Sequence, residues 1–314
     1  MIDLDRARAL FLGHYDPLLR QSHPFADLVL PGREASHLMH VTDVAWMAHI
    51  LGGLELSEAE RDAWAARIQR DQDPATGLFR YPPGERLIDE HATWQSVGAL
   101  SILGRSPRHR LVCLEPLLGV DGFRAWCDAY RPGTSHHRFF LAALAAASAP
   151  VGDDWKAVFA AWYDARQDPR SGFPCCSNVP GCLSPAFLLT TLRSALCGLP
   201  LHADRIVETV LGFQDARGAF TDADLPGYME MDASFLLHLL GPQAPGASGR
   251  IEHALERVGE FLDGVLADPD RRARLLADPH RALAVCGNLS VLWRREGITR
   301  PLPWAELEHY AVAL

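Results

Sequence analysis

The sequence lacks the short motifs that hold a nucleotide or open a hydrolase site. It contains no Gly-x-Gly-x-x-Gly, no P-loop, no Gly-x-Ser-x-Gly and no His-Glu-x-x-His. Each of these motifs places backbone amides, a nucleophile or metal ligands in a fixed local arrangement. Strand-like alternation of apolar and polar residues is also scarce. The sequence therefore predicts no nucleotide cofactor and little or no sheet.

The chain also has few basic residues and no long apolar run. Its 30 Lys and Arg against 39 Asp and Glu give a net charge of -9, which disfavours binding along nucleic-acid phosphates. No run of about 18 uncharged apolar residues predicts a membrane span. The start, Met1 to Arg6, has no apolar signal-peptide core, and seven cysteines are an odd number. We expect a cytoplasmic protein with mostly free thiols.

A repeated turn divides the chain into similar units. Three segments share a Gln-Asp turn that contains a glycine and ends on phenylalanine, and they begin at Gln72, Gln167 and Gln214. The last two glutamines are 47 residues apart and the first two are 95 apart, so a degenerate turn is predicted between them, at Asp121-Gly122-Phe123. A repeat of this period over roughly residues 20 to 295 is typical of helical hairpins.

An apolar helix is predicted after each turn. Six are expected, at residues 45–52, 92–104, 136–147, 185–198, 232–241 and 281–293. Helices that are apolar nearly all round are buried on every side, whereas the preceding helices are amphipathic, such as the one that opens on the capping box Ser57-x-x-Glu60. This predicts an all-α fold, a single domain over residues 1–314 in which six helical hairpins close into an (α/α)6 toroid.

Polar residues collect near the beginnings of these apolar helices, which meet at one end of a closed ring. Asp43 and Asp232 stand out because each lies nine residues before the terminal glycine of its helix, and a carboxylate inside an apolar helix must be paired or neutral. Acids and imidazoles in an apolar cavity have shifted pKa values, as acid-base catalysis near neutral pH requires. The residues predicted to be catalytic are Asp43, His91, His137, Cys182, Glu230 and Asp232.

A second set is predicted to line the cavity and bind the substrate. Glu90 has a structural alternative, since acids in first turns also cap free N–H groups. Of the adjacent His136 and His137, only one is expected to face the cavity, because neighbours on a helix point about 100° apart. The set comprises His40, Trp46, Glu90, Trp94, Gln95, His136, Phe140, Cys176, Phe187, Tyr228 and Phe235, with His37, Ser135, Ser184 and His280 in the wider polar group.

The cysteines near the fourth apolar helix leave several interpretations open. Cys175, Cys176 and Cys182 contain no Cys-x-x-Cys spacing, so no metal or other cofactor is predicted. A zinc site remains an alternative. A thiol that acts as acid or nucleophile is another, and a buried, inert thiol is the simplest.

The turns and the segments that follow them resemble the prenyltransferase and squalene-cyclase repeat superfamily. The segments are DEHATWQSVGALSILG, GCLSPAFLLTTLRSALCG and YMEMDASFLLHLLG, and the resemblance implies an α/α toroid. The Asp-x-Asp-Asp motif of the cyclases and the length for a second toroid are absent. Asp232, Cys182 and His280 could stand where prenyltransferase β-subunits bind zinc, without the Asp-x-Cys spacing of that family.

Three functions are compatible with this sequence. The first is a metal-independent lyase, isomerase or cyclase, terpene cyclase-like, on a small, largely apolar substrate, with aromatic walls that stabilise cationic character. The chain order of Asp43, His136 or His137, Cys175 or Cys176, and Cys182 resembles that of linalool dehydratase-isomerase. This resemblance implies acid-base chemistry by Asp, His and Cys residues in an apolar cavity. The second is a carbohydrate-active hydrolase, lyase or epimerase. The third is a non-catalytic binding toroid, and the oligomeric state is left open.

Overall fold

The computed structural model describes residues 2–19, 38–53, 55–81, 88–131, 136–174, 180–302 and 307–311. In these ranges the regular secondary structure is helical, and the only extended pairing is an isolated antiparallel bridge between Gln72 and Phe79. The predicted all-α class is confirmed. None of the helices in these ranges has the length and apolar character that a bilayer crossing requires.

The helices follow the predicted order. They are α1 Leu4–Leu19, α2 Leu38–Leu51, α3 Glu58–Gln69, α4 Asp89–Ile102, α5 Glu115–Leu118, α6 Val120–Asp128, α7 Phe139–Ser148, α8 Asp153–Asp164, α9 Leu183–Cys197, α10 Ala203–Leu211, α11 Tyr228–Leu240, α12 Ser248–Ala267, α13 Pro269–Leu276 and α14 Pro279–Arg295. The six apolar segments correspond to α2, α4, α7, α9, α11 and α14. Short 3₁₀ turns include His136–Arg138 and Leu307–Tyr310.

The helices differ in burial as the sequence predicts. Every residue of α2 except His49 is buried, whereas the neighbouring α3 buries only Trp64, Ala65 and Ile68. Helix α3 begins at the predicted capping box: the Ser57 hydroxyl accepts from the backbone N–H of Glu60, and the Glu60 carboxylate accepts from the backbone N–H of Ser57 at 2.7 Å.

The six buried helices contact one another in chain order. Helix α2 packs against α4, α4 against α7, and α7 against α9. Helix α9 packs against α11, α11 against α14, and α14 again against α2. The amphipathic helices α3, α8, α10 and α13 each pack against a buried helix that neighbours them in the chain. This order brings the first turns of buried helices from distant parts of the sequence close together.

Glutamine side chains fasten the repeated turns. The Gln72 amide donates to the carbonyls of Gly77 at 2.9 Å and His109 at 2.8 Å, and its oxygen accepts from the His109 N–H at 2.8 Å. Gly77 has a φ of 79°, and a Cβ there would lie 2.2 Å from the Arg110 carbonyl oxygen, so glycine is required. Equivalent bonds join Gln167 to Gly172 and His202, and Gln214 to Gly218 and Ala254.

The degenerate turn predicted at Asp121-Gly122-Phe123 is wrong. These residues belong to α6, and no glutamine precedes Asp121 to fasten a turn. Gly122 instead allows α6 to lie close to α5, since a Cβ there would be 1.9 Å from the Pro116 carbonyl oxygen. Phe123 is fully buried and stacks on Trp155 at 3.6 Å between ring centroids. Its apolar character served core packing rather than a turn.

We expect Gln167→Ala to lower the free energy of unfolding by about 1–3 kcal/mol, because it removes the buried bond to the Gly172 carbonyl and the partly buried bond from the His202 N–H. Urea denaturation measures the change. Gln243→Ala is the matched control, since Gln243 is exposed and its loss should shift the midpoint little. Equal stabilities of the two variants would contradict the fastening role of Gln167.

Candidate active site

The first turns of five buried helices surround a cavity of about 180 Å³. Helices α4, α7, α9, α11 and α14 contribute to its wall, together with the 3₁₀ turn before α7. Both polar and aromatic side chains face this space. The lining residues are His91, His136, His137, Phe140, Ser184, Phe187, Leu188, Tyr228, Met231, Asp232 and His280.

Asp43 lies behind the cavity and binds the imidazole of His280. Its side chain is fully buried; Oδ2 lies 2.9 Å from Nδ1 of His280, and Oδ1 accepts a hydrogen bond of 2.8 Å from the Gln95 amide. Burial raises the pKa of Asp43 above its ordinary value, and the interactions with His280 and Gln95 oppose this increase without cancelling it. The Tyr228 hydroxyl lies 3.1 Å from the same Nδ1. With Nδ1 engaged, Nε2 is the atom of His280 left to accept a proton.

Asp232 meets the same cavity under different conditions. Asp232 as a whole is only 2% exposed, and the Ser184 hydroxyl donates a hydrogen bond to Oδ2 of its carboxyl. Burial raises the pKa of Asp232 to about 8, and the nearby Glu230 carboxylate adds to the increase, although the Ser184 bond opposes it. At neutral pH most of this carboxyl is protonated. Asp232 can therefore donate a proton into the cavity.

Three further imidazoles in the wall are neutral at physiological pH. Burial lowers the pKa of His136 to about 3 and that of His137 to about 4, and it holds the pKa of His91 well below its usual range. Nδ1 of His91 lies 2.8 Å from the Tyr81 hydroxyl. The His91 ring centroid is 5.6 Å from that of His137 and 5.8 Å from that of His280. The wall thus offers neutral imidazoles rather than fixed positive charge.

The prediction that only one of His136 and His137 faces the cavity is wrong. Both side chains line it, with ring centroids 3.9 Å apart. Both residues precede α7 and lie in a 3₁₀ turn at the edge of the cavity.

Several residues predicted to bind substrate lie outside the described lining. Trp94 contacts the back of the wall, with its ring centroid 5.3 Å from that of Phe140, and Phe235 contacts Phe187 edge-on at 5.2 Å. Gln95 is used by Asp43. Trp94, Phe235 and Gln95 thus lie behind residues of the site rather than in the described lining. The lining also leaves out His40, Trp46 and Glu90, whose contact with substrate stays a prediction.

Glu230 has a structural role instead of the predicted catalytic one. Its carboxylate accepts hydrogen bonds from the backbone N–H of Gly227 at 2.7 Å, from that of Phe220 at 3.3 Å and from the Thr221 hydroxyl at 3.1 Å. These bonds fix the turn before α11. Because they occupy both oxygens, Glu230 is a cap of this helix.

Cys182 is disulfide-bonded and buried, so the expectation of a free, reactive thiol at this position is wrong. A sulfur in a disulfide cannot serve as a thiolate ligand or nucleophile. Among the residues that the structure describes, no three His, Cys, Asp or Glu side chains form a group that could hold a metal ion. The predicted His37, Ser135, Cys175 and Cys176 lie outside the described residues.

Sequence reasoning placed His280 and Ser184 in the wider polar group but did not select them. His280 is 237 residues from its partner Asp43, and Ser184 is 48 residues from Asp232. One sequence signal was available, because both open buried helices next to a proline, at Pro279 and Pro185. The pairing itself depends on which helices are neighbours.

We expect Asp232→Asn to stabilise the protein increasingly as the pH rises from about 4 to about 8. The carboxyl ionises near pH 4 in the unfolded chain, but the folded protein retains the proton up to a pKa of about 8. In the wild type, the stability contributed by this proton is fully present below the pKa of the unfolded chain. It is lost as the pH rises through the pKa of the folded protein, by at most about 1.4 kcal/mol per pH unit.

Urea denaturation of both proteins across this pH range gives the difference in unfolding free energy. The exposed Asp153 provides the control, since Asp153→Asn should give a difference that does not grow with pH. A constant difference for Asp232→Asn would mean that the folded carboxyl is already ionised.

Comparisons with known proteins do not add to this description. No protein-family model matches the chain, and neither a curated protein nor a solved structure matches it. The geometry of the cavity is therefore the basis on which a function is proposed.

Proposed function

We propose that this chain is an acid-base lyase or isomerase that acts on a small, largely apolar, terpenoid-like substrate. One observation carries the proposal: a carboxyl that burial keeps protonated, Asp232, and an imidazole oriented by a buried carboxylate, His280, line the same cavity. A neutral acid and an oriented base are what a reaction needs to add a proton at one atom and remove one from another.

The architecture that we infer for this enzyme is the (α/α)6 toroid. The contacts between buried helices support it, because they pass from α2 through α4, α7, α9 and α11 to α14 and return to α2. The amphipathic helices that pack against this set, such as α3 and α10, also support it. In such a ring the first turns face one central cavity, where we place the reaction.

The proposed reaction begins when Asp232 donates its proton to a substrate hydroxyl, which leaves as water, or to an alkene carbon. The resulting carbocation lies between aromatic faces, for which Phe140 and Phe187 are available in the wall. Nε2 of His280 then removes a proton from the neighbouring carbon, and the C–H electron pair becomes the new double bond. The Asp43 carboxylate stabilises the imidazolium. Proton exchange with solvent restores both groups.

The size and wall of the cavity favour a small apolar substrate over a sugar. About 180 Å³ is below the roughly 300–1,000 Å³ of sites for drug-sized ligands. The hydroxyls of Ser184 and Tyr228 already bond to Asp232 and His280. Apolar side chains make up much of the remaining surface, including Phe140, Phe187, Leu188 and Met231.

A thermal-shift screen tests the substrate class. The unfolding temperature of the purified protein is measured with short isoprenoid alcohols and alkenes, with oligosaccharides, and in buffer alone. A ligand at roughly 100 times its Kd should add about 2.7 kcal/mol of stability. Stabilisation by oligosaccharides alone would indicate a carbohydrate-active enzyme instead. Stabilisation by the isoprenoid set without turnover would favour a binding protein.

We expect Asp232→Asn to abolish turnover and Asp43→Asn to reduce kcat by about 10²–10⁴-fold, since the first removes the acid and the second misorients the base. Incubation of the isoprenoid set in D₂O, followed by mass spectrometry, detects both new products and exchanged protons. Asn retains the size and hydrogen bonding of Asp, so both variants should fold.

Glu230→Gln is the matched control, because it changes another buried carboxylate of the same helix as Asp232. It should lower stability without abolishing turnover, and because the Glu230 charge adds to the raised pKa of Asp232, it should shift the loss of kcat at high pH to a lower pH. If Asp232→Asn exchanged deuterium as fast as the wild type, the proposed acid would be wrong.

A further inference from the structure

A tyrosine from the 3₁₀ turn Leu307–Tyr310 fills the space between buried helices. Tyr310 is fully buried, and this turn contacts α4 and α7. The Tyr310 ring stacks on Trp94 with centroids 3.6 Å apart and planes 12° apart, and it lies 5.7 Å from the Trp46 ring at 25°. Three large aromatic rings are thus packed nearly parallel.

Helix α4 has a glycine where these rings approach it. A Cβ at Gly98 would lie 2.7 Å from Cε1 of Tyr310 and 2.5 Å from Cζ2 of Trp46. Glycine inside a helix costs about 1 kcal/mol relative to alanine. Glycine at position 98 thus lowers the stability of α4 but leaves room for the rings of Trp46 and Tyr310.

The stacked rings extend to the wall of the cavity. The Trp94 centroid lies 5.3 Å from that of Phe140, which lines the cavity. Phe140, Trp94, Tyr310 and Trp46 thus form one continuous series of contacts, here called the aromatic column. The Phe140 ring is the end of the aromatic column that lines the cavity. Tyr310 contacts Trp94 farther along the column.

We propose that Tyr310 is a positioning residue that fixes the depth of the cavity and so limits the length of the apolar substrate. It acts through Trp94, whose ring it holds against Phe140. Without the tyrosine ring, Trp94 and then Phe140 move into the vacated space, and the cavity deepens. The proposal rests on the proposed function only in taking the ligand to be apolar.

Binding of straight-chain primary alcohols of increasing length to wild type and Tyr310→Ala tests this proposal by calorimetry. Each methylene that enters an apolar site tightens binding about fourfold. Affinity for the wild type should rise with length and then stop rising. For Tyr310→Ala the rise should continue for at least about two further methylenes, which corresponds to about 16-fold tighter binding of the longest alcohols.

Two controls separate depth from stability. Tyr310→Phe keeps the stacked ring and should keep the wild-type length limit. Tyr163→Ala removes an equally buried tyrosine on α8, outside the aromatic column, and should lower stability without changing the limit. If Tyr310→Ala does not fold, Tyr310→Leu, which keeps the site filled by a smaller apolar side chain, takes its place.

An unchanged length limit in folded Tyr310→Ala, or in the Tyr310→Leu that replaces it, overturns the proposal. If no alcohol binds to any of these proteins, the apolar-substrate assignment fails instead, and the crystal structure of the variant then decides the role of Tyr310. Displacement of Trp94 away from its position behind Phe140 supports that role. An unmoved Trp94 overturns it.

Discussion

Desolvation of two carboxyl groups is the constraint on which the candidate site and its proposed chemistry depend. Asp43 and Asp232 lie in helices that are buried over most of their length, where an unpaired charge is costly. The two sites meet this cost differently. Asp43 is hydrogen-bonded by His280 and Gln95, whereas Asp232 keeps its proton beneath the Ser184 hydroxyl. One physical effect therefore accounts for both the oriented base and the neutral acid of the proposed mechanism.

The fold supplies the contacts that make this arrangement work. Asp43, on α2, reaches His280, on α14, only because these two helices pack together. The glutamine-fastened turns hold the segments between the hairpins, so that the first turns of the buried helices remain at a common cavity. Glu230 has a similar local role, since its carboxylate fixes the turn before α11, the helix that carries Tyr228 and Asp232.

Much of the fold and part of the site could be predicted from sequence. Apolar runs located all six buried helices, and the capping box located the start of α3, because both signals are local. Asp43 and Asp232 could also be recognised locally, because each is a carboxyl within an apolar segment, where burial of a charge is costly. Roles that depend on a side chain's direction or on a distant partner could not be predicted: Glu230 faces backbone amides, Trp94 lies behind the wall, and His280 pairs across 237 residues.

The protonation state of Asp232 tests the central claim most directly. Infrared difference spectra between wild type and Asp232→Asn isolate the carbonyl stretch of this one carboxyl across a pH titration. A protonated carboxylic acid band at neutral pH that disappears with a midpoint near pH 8 is the predicted result. A carboxylate band already present near pH 5, close to the ordinary pKa of about 4, would contradict the account.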